Sequence, residues 1–149
     1  EFNAPPEFDL WAANWKTNFM PFATGGTQEN PWLAELREKD PYEMFIHINT
    51  ETAKKKGIKE GNWVEVESRY GKSRGRAKLT ELIHPEVIGI PACYGRGTIH
   101  MNPVAKEGPA YNVLMTAKDN VGVDPLSGTI EVGPRVKIKK CESQNQKHK

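Results

Sequence analysis

"WVEVESRYGKSRGRAKLTEL", residues 63–82, alternates on both sides of a turn. Val64 and Val66 alternate with Glu65 and Glu67, the chain reverses near Tyr70-Gly71-Lys72, and Ala77 and Leu79 then alternate with Arg76, Lys78 and Thr80. A period of two sends successive side chains to opposite faces of a strand, so the stretch predicts an antiparallel hairpin with one wet face. The basic cluster Arg69, Lys72, Arg74, Arg76 and Lys78 around its tip reads as a solvated strand face, with phosphate or partner binding as the minor reading.

Working outward, the segment TETAKKK before the hairpin has Asn49 or Thr50 as N-cap and Gly57 as the left-handed residue that ends it, so a brief helix is expected there. MFIHI, 44–48, predicts a short buried strand. Further upstream Asn30 caps a second helix with Pro31 at its first position and Trp32, Leu33 and Leu36 as its apolar face; the helix stops before Asp40-Pro41. FDLWAANW, 8–15, predicts an aromatic-rich strand. Downstream, 87–92 reads as a short apolar strand whose Pro91 suggests an edge or a bulge. A long Gly-rich loop follows, then a helical turn at YNVLM, a turn at DPLSG (124–128), and paired strands TIEV and RVKIKK. Short strands, frequent turns and small helices together predict a mainly β fold, a barrel with two or three helices appended.

Bulk properties bound the function. With 149 residues the chain is one domain large enough for a real core, here 1–141, followed by a polar tail at 142–149 expected to be disordered. A net charge of +2, with 27% charged residues of mixed sign, does not point to nucleic acid or an acidic membrane. No apolar run approaches the roughly 20 residues of a membrane span, so a soluble chain is expected. The absence of an initiator Met fits processing or a piece of something longer. Cys93 and Cys141 lie far apart without a CxxC, so neither a disulfide framework nor a zinc site is expected.

Two loops carry the densest chemistry. In FATGGTQENPWL, 22–33, Gly25 and Gly26 let amides turn toward one point, Thr24 and Thr27 add hydroxyl donors, and the helix starting near Asn30 brings unpaired N–H groups. An anion such as phosphate fits there, although Glu29 would have to point away; a solvated, helix-capping loop is the competing reading. The loop 94–112 holds Tyr94, Arg96, His100, Asn102, Tyr111 and Asn112, with Gly95 and Gly97 allowing close backbone approach. Cys93, His100 and Met101 do not have the spacing of a copper site, and no GxSxG or paired carboxylates mark a hydrolase.

The order Asn49, Thr52-Ala53, Gly57-Ile58, Gly61-Asn62, Val64, Val66, Ser68, Gly71, Ala77, Leu79-Thr80 and Pro85 resembles the molybdopterin dinucleotide-binding, C-terminal domain of the dimethyl sulfoxide reductase family of molybdenum and tungsten oxidoreductases. Asn62 stands where that family most often has Asp, a mild departure because either side chain serves the turn. NPWLAEL, GPAYNVLM and Asp124-Pro125-Leu126-Ser127-Gly128 extend the resemblance over about residues 8–140.

The resemblance implies a double-psi β-barrel that closes over two pterin guanine dinucleotides. It assigns cofactor contacts to Thr24, Gly25, Gly26, Thr27, Gln28 and Asn30 in the first loop, His100, Tyr111 and Asn112 in the second, and Lys16 as a basic residue beside the first. The implied cofactor is molybdopterin guanine dinucleotide, its molybdenum or tungsten held by other domains. The implied partners are the remaining domains of a parent catalytic subunit and an iron–sulfur subunit, with no nucleic acid and no membrane insertion. No catalytic metal ligand is expected in this chain, and no activity of the isolated domain. The alternative is a non-enzymatic double-psi barrel serving protein interaction.

Overall fold

The structure is a computed structural model and describes residues 4–16, 30–40, 42, 44–92, 94–95, 108–116, 123–130 and 133–142. Within them six strands close into a barrel: β1 (Leu10–Trp15), β2 (Phe45–Asn49), β3 (Trp63–Glu67), β4 (Lys72–Thr80), β5 (Val87–Pro91) and β6 (Arg135–Lys140), in the spatial order β1-β5-β2-β4-β3-β6. Two helices, α1 (Pro31–Glu38) and α2 (Thr50–Lys55), and a 3-10 turn at Asn112–Leu114 are appended.

Each strand feeds the barrel interior through its period of two. Leu10 and Ala12, Ile46 and Ile48, Val64 and Val66, Ile88 and Ile90, and Val136 and Ile138 are buried at alternate positions, with Ala77 from β4. Ala53 and Ile58 close one end of this core, Tyr111 and Leu114 the other. β1 pairs with β5 and β2 with β4 in parallel, whereas β1–β6, β2–β5, β3–β4 and β3–β6 are antiparallel. Exchanging β1, β2 and β3 for β4, β5 and β6 returns the same set of pairings. This internal pseudo-twofold is the double-psi β-barrel expected from the sequence.

The hairpin forms as expected, with Trp63 opposite Arg76 and Glu67 opposite Lys72. Its turn is held by Ser68, whose Oγ accepts from the amides of Tyr70 (3.0 Å) and Gly71 (3.2 Å). Both helix starts also match: Asn30 Oδ1 accepts from the Trp32 amide at 3.0 Å, and Asn49 Oδ1 from the Glu51 amide at 2.9 Å. Gly57 takes φ +66° beyond α2, and the amides of Leu126 and Ser127 fold onto Asp124 Oδ1 in the predicted turn.

Four expectations are corrected. RVKIKK pairs with β1 and β3 rather than with TIEV; the described part of TIEV makes a single bridge, Ile130 to Val123. Pro91 is not on a sheet edge, because the barrel is closed; it is the last residue of β5, where its missing N–H interrupts nothing further along the strand. Glu65, assigned to the wet face, is buried under Arg74 and Lys139 from the two flanking strands. Finally, α1 does not turn its apolar face inward: Trp32 is 76% exposed and Leu36 is exposed, while Arg37 is buried. The tail 143–149 and Cys93 lie outside the described residues; Cys141 is a half-buried thiol without a disulfide.

Candidate functional site

Strand direction decides where the connections gather. β1 and β5 run in parallel and end together, with Trp15 in register with Pro91 and the Ala92 amide donating to the Trp15 carbonyl at 2.9 Å. The two loops singled out in the sequence therefore leave from the tips of adjacent strands. β2 runs antiparallel to β5, so it begins at that same end, and the chain between β1 and β2 leaves and returns there. β3 is antiparallel to β4, which parallels β2, so the hairpin tip at 68–71 reaches this end too.

The first loop has a rigid root. Trp15 lies across Gly89, where a Cβ would come within 2.4 Å of the indole, and its ring meets the His47 imidazole at a centroid distance of 4.4 Å. His47 Nε2–H donates to the Tyr42 carbonyl at 2.8 Å, and burial together with the charge of Lys78 holds its pKa below the ordinary value. Lys16 follows directly and is exposed, with no ion pair among the described residues. Asn30 closes the loop as the cap of α1. Thr24, Gly25, Gly26, Thr27 and Gln28 lie outside the described residues, as does His100 of the second loop.

The second loop is pinched at its base. Gly95 has φ +70° and sits against Gly108 and Ala110, and a Cβ on Gly108 would fall 2.3 Å from that of Tyr94. Such approach is open to glycine alone. After the pinch, Pro109 packs over Gly75 at the mouth of the core. Tyr111 is the predicted contact that the structure places inside: it is 1% exposed and its hydroxyl donates to the Ala12 carbonyl at 3.2 Å, tying this loop to β1. Asn112 is exposed at the start of the 3-10 turn, and that turn is seated by Gly71 of the hairpin, whose Cβ would stand 2.2 Å from the Val113 carbonyl oxygen. The pinch and the hairpin seat were not read from the sequence. The glycine spacing was visible, but what each glycine approaches is a tertiary matter.

Charge on the barrel wall is largely spent. Arg74 Nε and Nη2 both donate to Glu65 Oε2, at 2.8 and 2.6 Å, and Lys139 reaches Glu65 Oε1 at 3.2 Å. Glu67 takes Lys72 and Lys137, Glu60 takes Lys78, and Arg76 lies over Trp63. Hydrogen bonds from Arg74 and Lys139 hold the Glu65 pKa below the usual carboxylate range. The strand portion of the basic cluster is therefore a neutralised wall, whereas Arg69 at the tip is exposed without an ion pair among the described residues. Among the described residues no helix is long and apolar enough to cross a membrane.

A family model described as the molydopterin dinucleotide binding domain matches residues 22–133. The chain belongs to that family. The formate dehydrogenase subunit alpha of Megalodesulfovibrio gigas is 33% identical over 90 residues, which cover 55% of this chain and 8% of that protein. The arsenate respiratory reductase molybdopterin-containing subunit ArrA of Shewanella sp. (strain ANA-3) is 28% identical over 132 residues, covering 86% of this chain and 14% of that protein. Acetylene hydratase from Pelobacter acetylenicus superposes with a TM-score of 0.68 at 21% identity over 91% of this chain and 19% of its own, a likeness of fold. This molybdopterin dinucleotide-binding domain thus spans a small part of each of these relatives.

The family's cofactor, molybdopterin guanine dinucleotide, is a polyanion, and the site end of the barrel suits one. It presents Lys16, Arg69 and the Asn112 carboxamide, and α1, in the connection that leaves and returns there, carries in Arg37 a buried guanidinium with no hydrogen-bond partner among the described residues.

Proposed function

We propose that the barrel end built from the β1–α1 connection, the loop at 92–110, the hairpin tip and the 3-10 turn is the face that closes over the pterin dinucleotides of a larger molybdenum or tungsten oxidoreductase. Trp15 and Pro91 in parallel register carry this reading, because they bring the bases of two loops far apart in the chain side by side. Lys16, Asn30 and Asn112 then stand with Thr24, Gly25, Gly26, Thr27, Gln28 and His100 as the cofactor contacts. Tyr111 serves by fixing Asn112 to β1 rather than by offering its hydroxyl. When bound, the cofactor supplies a metal centre for electron or oxygen-atom transfer; this chain's residues bind, orient and shield it.

The chain's small share of its relatives makes the rest of a catalytic subunit its first partner, with an iron–sulfur subunit as a further one. Trp32 and Leu36, one helical turn apart and exposed on α1, offer an apolar surface for such a neighbour to cover.

The test is retention of cofactor by the native enzyme carrying this chain. Asn112→Ala and Thr27→Ala should each lower the guanine nucleotide released on acid hydrolysis by roughly tenfold, the loss of one hydrogen bond to a charged group. The melting temperature of cofactor-free protein should stay where it was. Undiminished nucleotide in both variants would sink the reading and favour a barrel used for protein interaction.

A further inference from the structure

Among the described residues, every buried side-chain nitrogen lacking a hydrogen-bond partner belongs to Arg37, whose Nε and both terminal nitrogens are unpaired while the residue is 1% exposed. Arginine does not shed its proton to escape burial, and an uncompensated buried charge is among the most destabilising features a fold can carry. A group kept under those terms calls for an anion that the described residues do not supply.

The surroundings say where that anion comes from. α1 is built inside out, with Trp32 and Leu36 in solvent and the guanidinium within, so its amphipathic pattern is not spent on the barrel core. Among the described residues, the carboxylates on and beside the helix do not serve Arg37: Glu35 is exposed and pairs with Lys39 at 2.9 Å, Glu38 is exposed, and Asp40 accepts from the Tyr42 amide; Glu29 and Glu43 lie outside the described residues. The strand carboxylates Glu60, Glu65 and Glu67 are already matched to their own lysines and arginines. Because β1 ends and β2 begins at the site end of the barrel, the chain that carries α1 and Arg37 leaves and returns at that end.

Resting on the function proposed above, we infer that Arg37 is a phosphate-binding residue of this domain, its planar fork pairing with a phosphate of the bound dinucleotide. A guanidinium matches two phosphate oxygens at once, which a lysine ammonium does not.

The experiment replaces Arg37 in the native enzyme and measures two quantities, guanine nucleotide per protein after acid hydrolysis and the melting temperature of the cofactor-free form. Arg37→Met should reduce retained nucleotide roughly tenfold or more, and Arg37→Lys should fall between it and the parent. Removing a buried charge that lacks a partner should at the same time leave the melting temperature of the cofactor-free protein unchanged or raise it. A cofactor-free Arg37→Met protein that melts lower would show that Arg37 has a partner within the protein, and the inference would fail. Full nucleotide content in Arg37→Met would overturn it equally. A parent enzyme that releases no guanine nucleotide would instead overturn the function on which the inference stands.

Discussion

Glu65 shows how far a single side chain departs from its sequence pattern. Alternation places it on the outer face of β3, and it is there, yet Arg74 and Lys139 lie directly across from it on both neighbouring strands and cover it. Glu65→Ala would leave those cations facing each other, and since they are partly exposed the cost should be about 1–2 kcal/mol rather than that of a fully buried pair. Thermal or denaturant melting of the variant checks this. His47 makes a separable contribution. Burial lowers its folded pKa below the ordinary 6.5, so between the folded and unfolded values the unfolded chain binds the extra proton. Stability should therefore be complete above about 6.5 and decline as pH falls below it. Glu60, Glu65 and Glu67, whose pKa values are also lowered, add their losses in more acidic solution, below the ordinary carboxylate value. Denaturant titrations at pH 7.5, 6.5 and 5.5 should show the decline in the parent and a flatter profile in His47→Gln.

At the scale of elements, the 3-10 turn at Asn112–Leu114 is positioned by a hairpin about 40 residues earlier in the chain, a separation that local propensity cannot encode. Gly71 lacks the positive φ that would demand glycine for conformational reasons, so its requirement is the space beneath the Val113 carbonyl. Gly71→Ala should push the turn away, costing about 1–3 kcal/mol as overpacking and lowering cofactor retention through Asn112, the first residue of that turn. Combined melting and nucleotide measurements would separate this from Asn112→Ala, which should affect retention alone. α2 teaches the opposite lesson. Its start, end and cap were legible, because Asn49 and Gly57 act on backbone within a few residues of themselves. The same Asn49 also donates to the Ile83 carbonyl at 2.8 Å, and Thr52 to that of Pro85, stitching α2 to the β4–β5 connection. The Asn49 and Thr52 part of the motif that made the family recognisable thus maintains the barrel at the end away from the loops proposed to hold the cofactor, while its Ser68 and Gly71 shape the hairpin tip at the other end.

For the whole molecule, the pseudo-twofold barrel and its loops are separable. The base of the second loop is closed by contacts among Tyr94, Gly95, Gly108 and Ala110, so the chain leaves and returns at nearly one point. Replacing 96–107 with a two-residue Gly-Ser link should leave the barrel folded, its melting temperature within a few degrees of the parent, because loop closure contributes slowly with length. It should abolish cofactor retention. A variant that failed to fold would show that the loop is part of the core.

The amino-acid order by itself determined the strands, the caps and turns of α1 and α2, the hairpin, and the family, since each depends on side-chain periodicity or on hydrogen bonds spanning a few residues. Even the loops that carry the proposed site were visible as glycine-rich, polar stretches. The three-dimensional structure alone decided that β6 lies between β1 and β3, that Glu65 is covered, that Trp32 and Leu36 face outward while Arg37 is enclosed, and that Trp15 stands beside Pro91. Those outcomes depend on which strands become neighbours and on what packs across them. Barrel closure sets these relations between residues many tens of positions apart, beyond the reach of any local pattern.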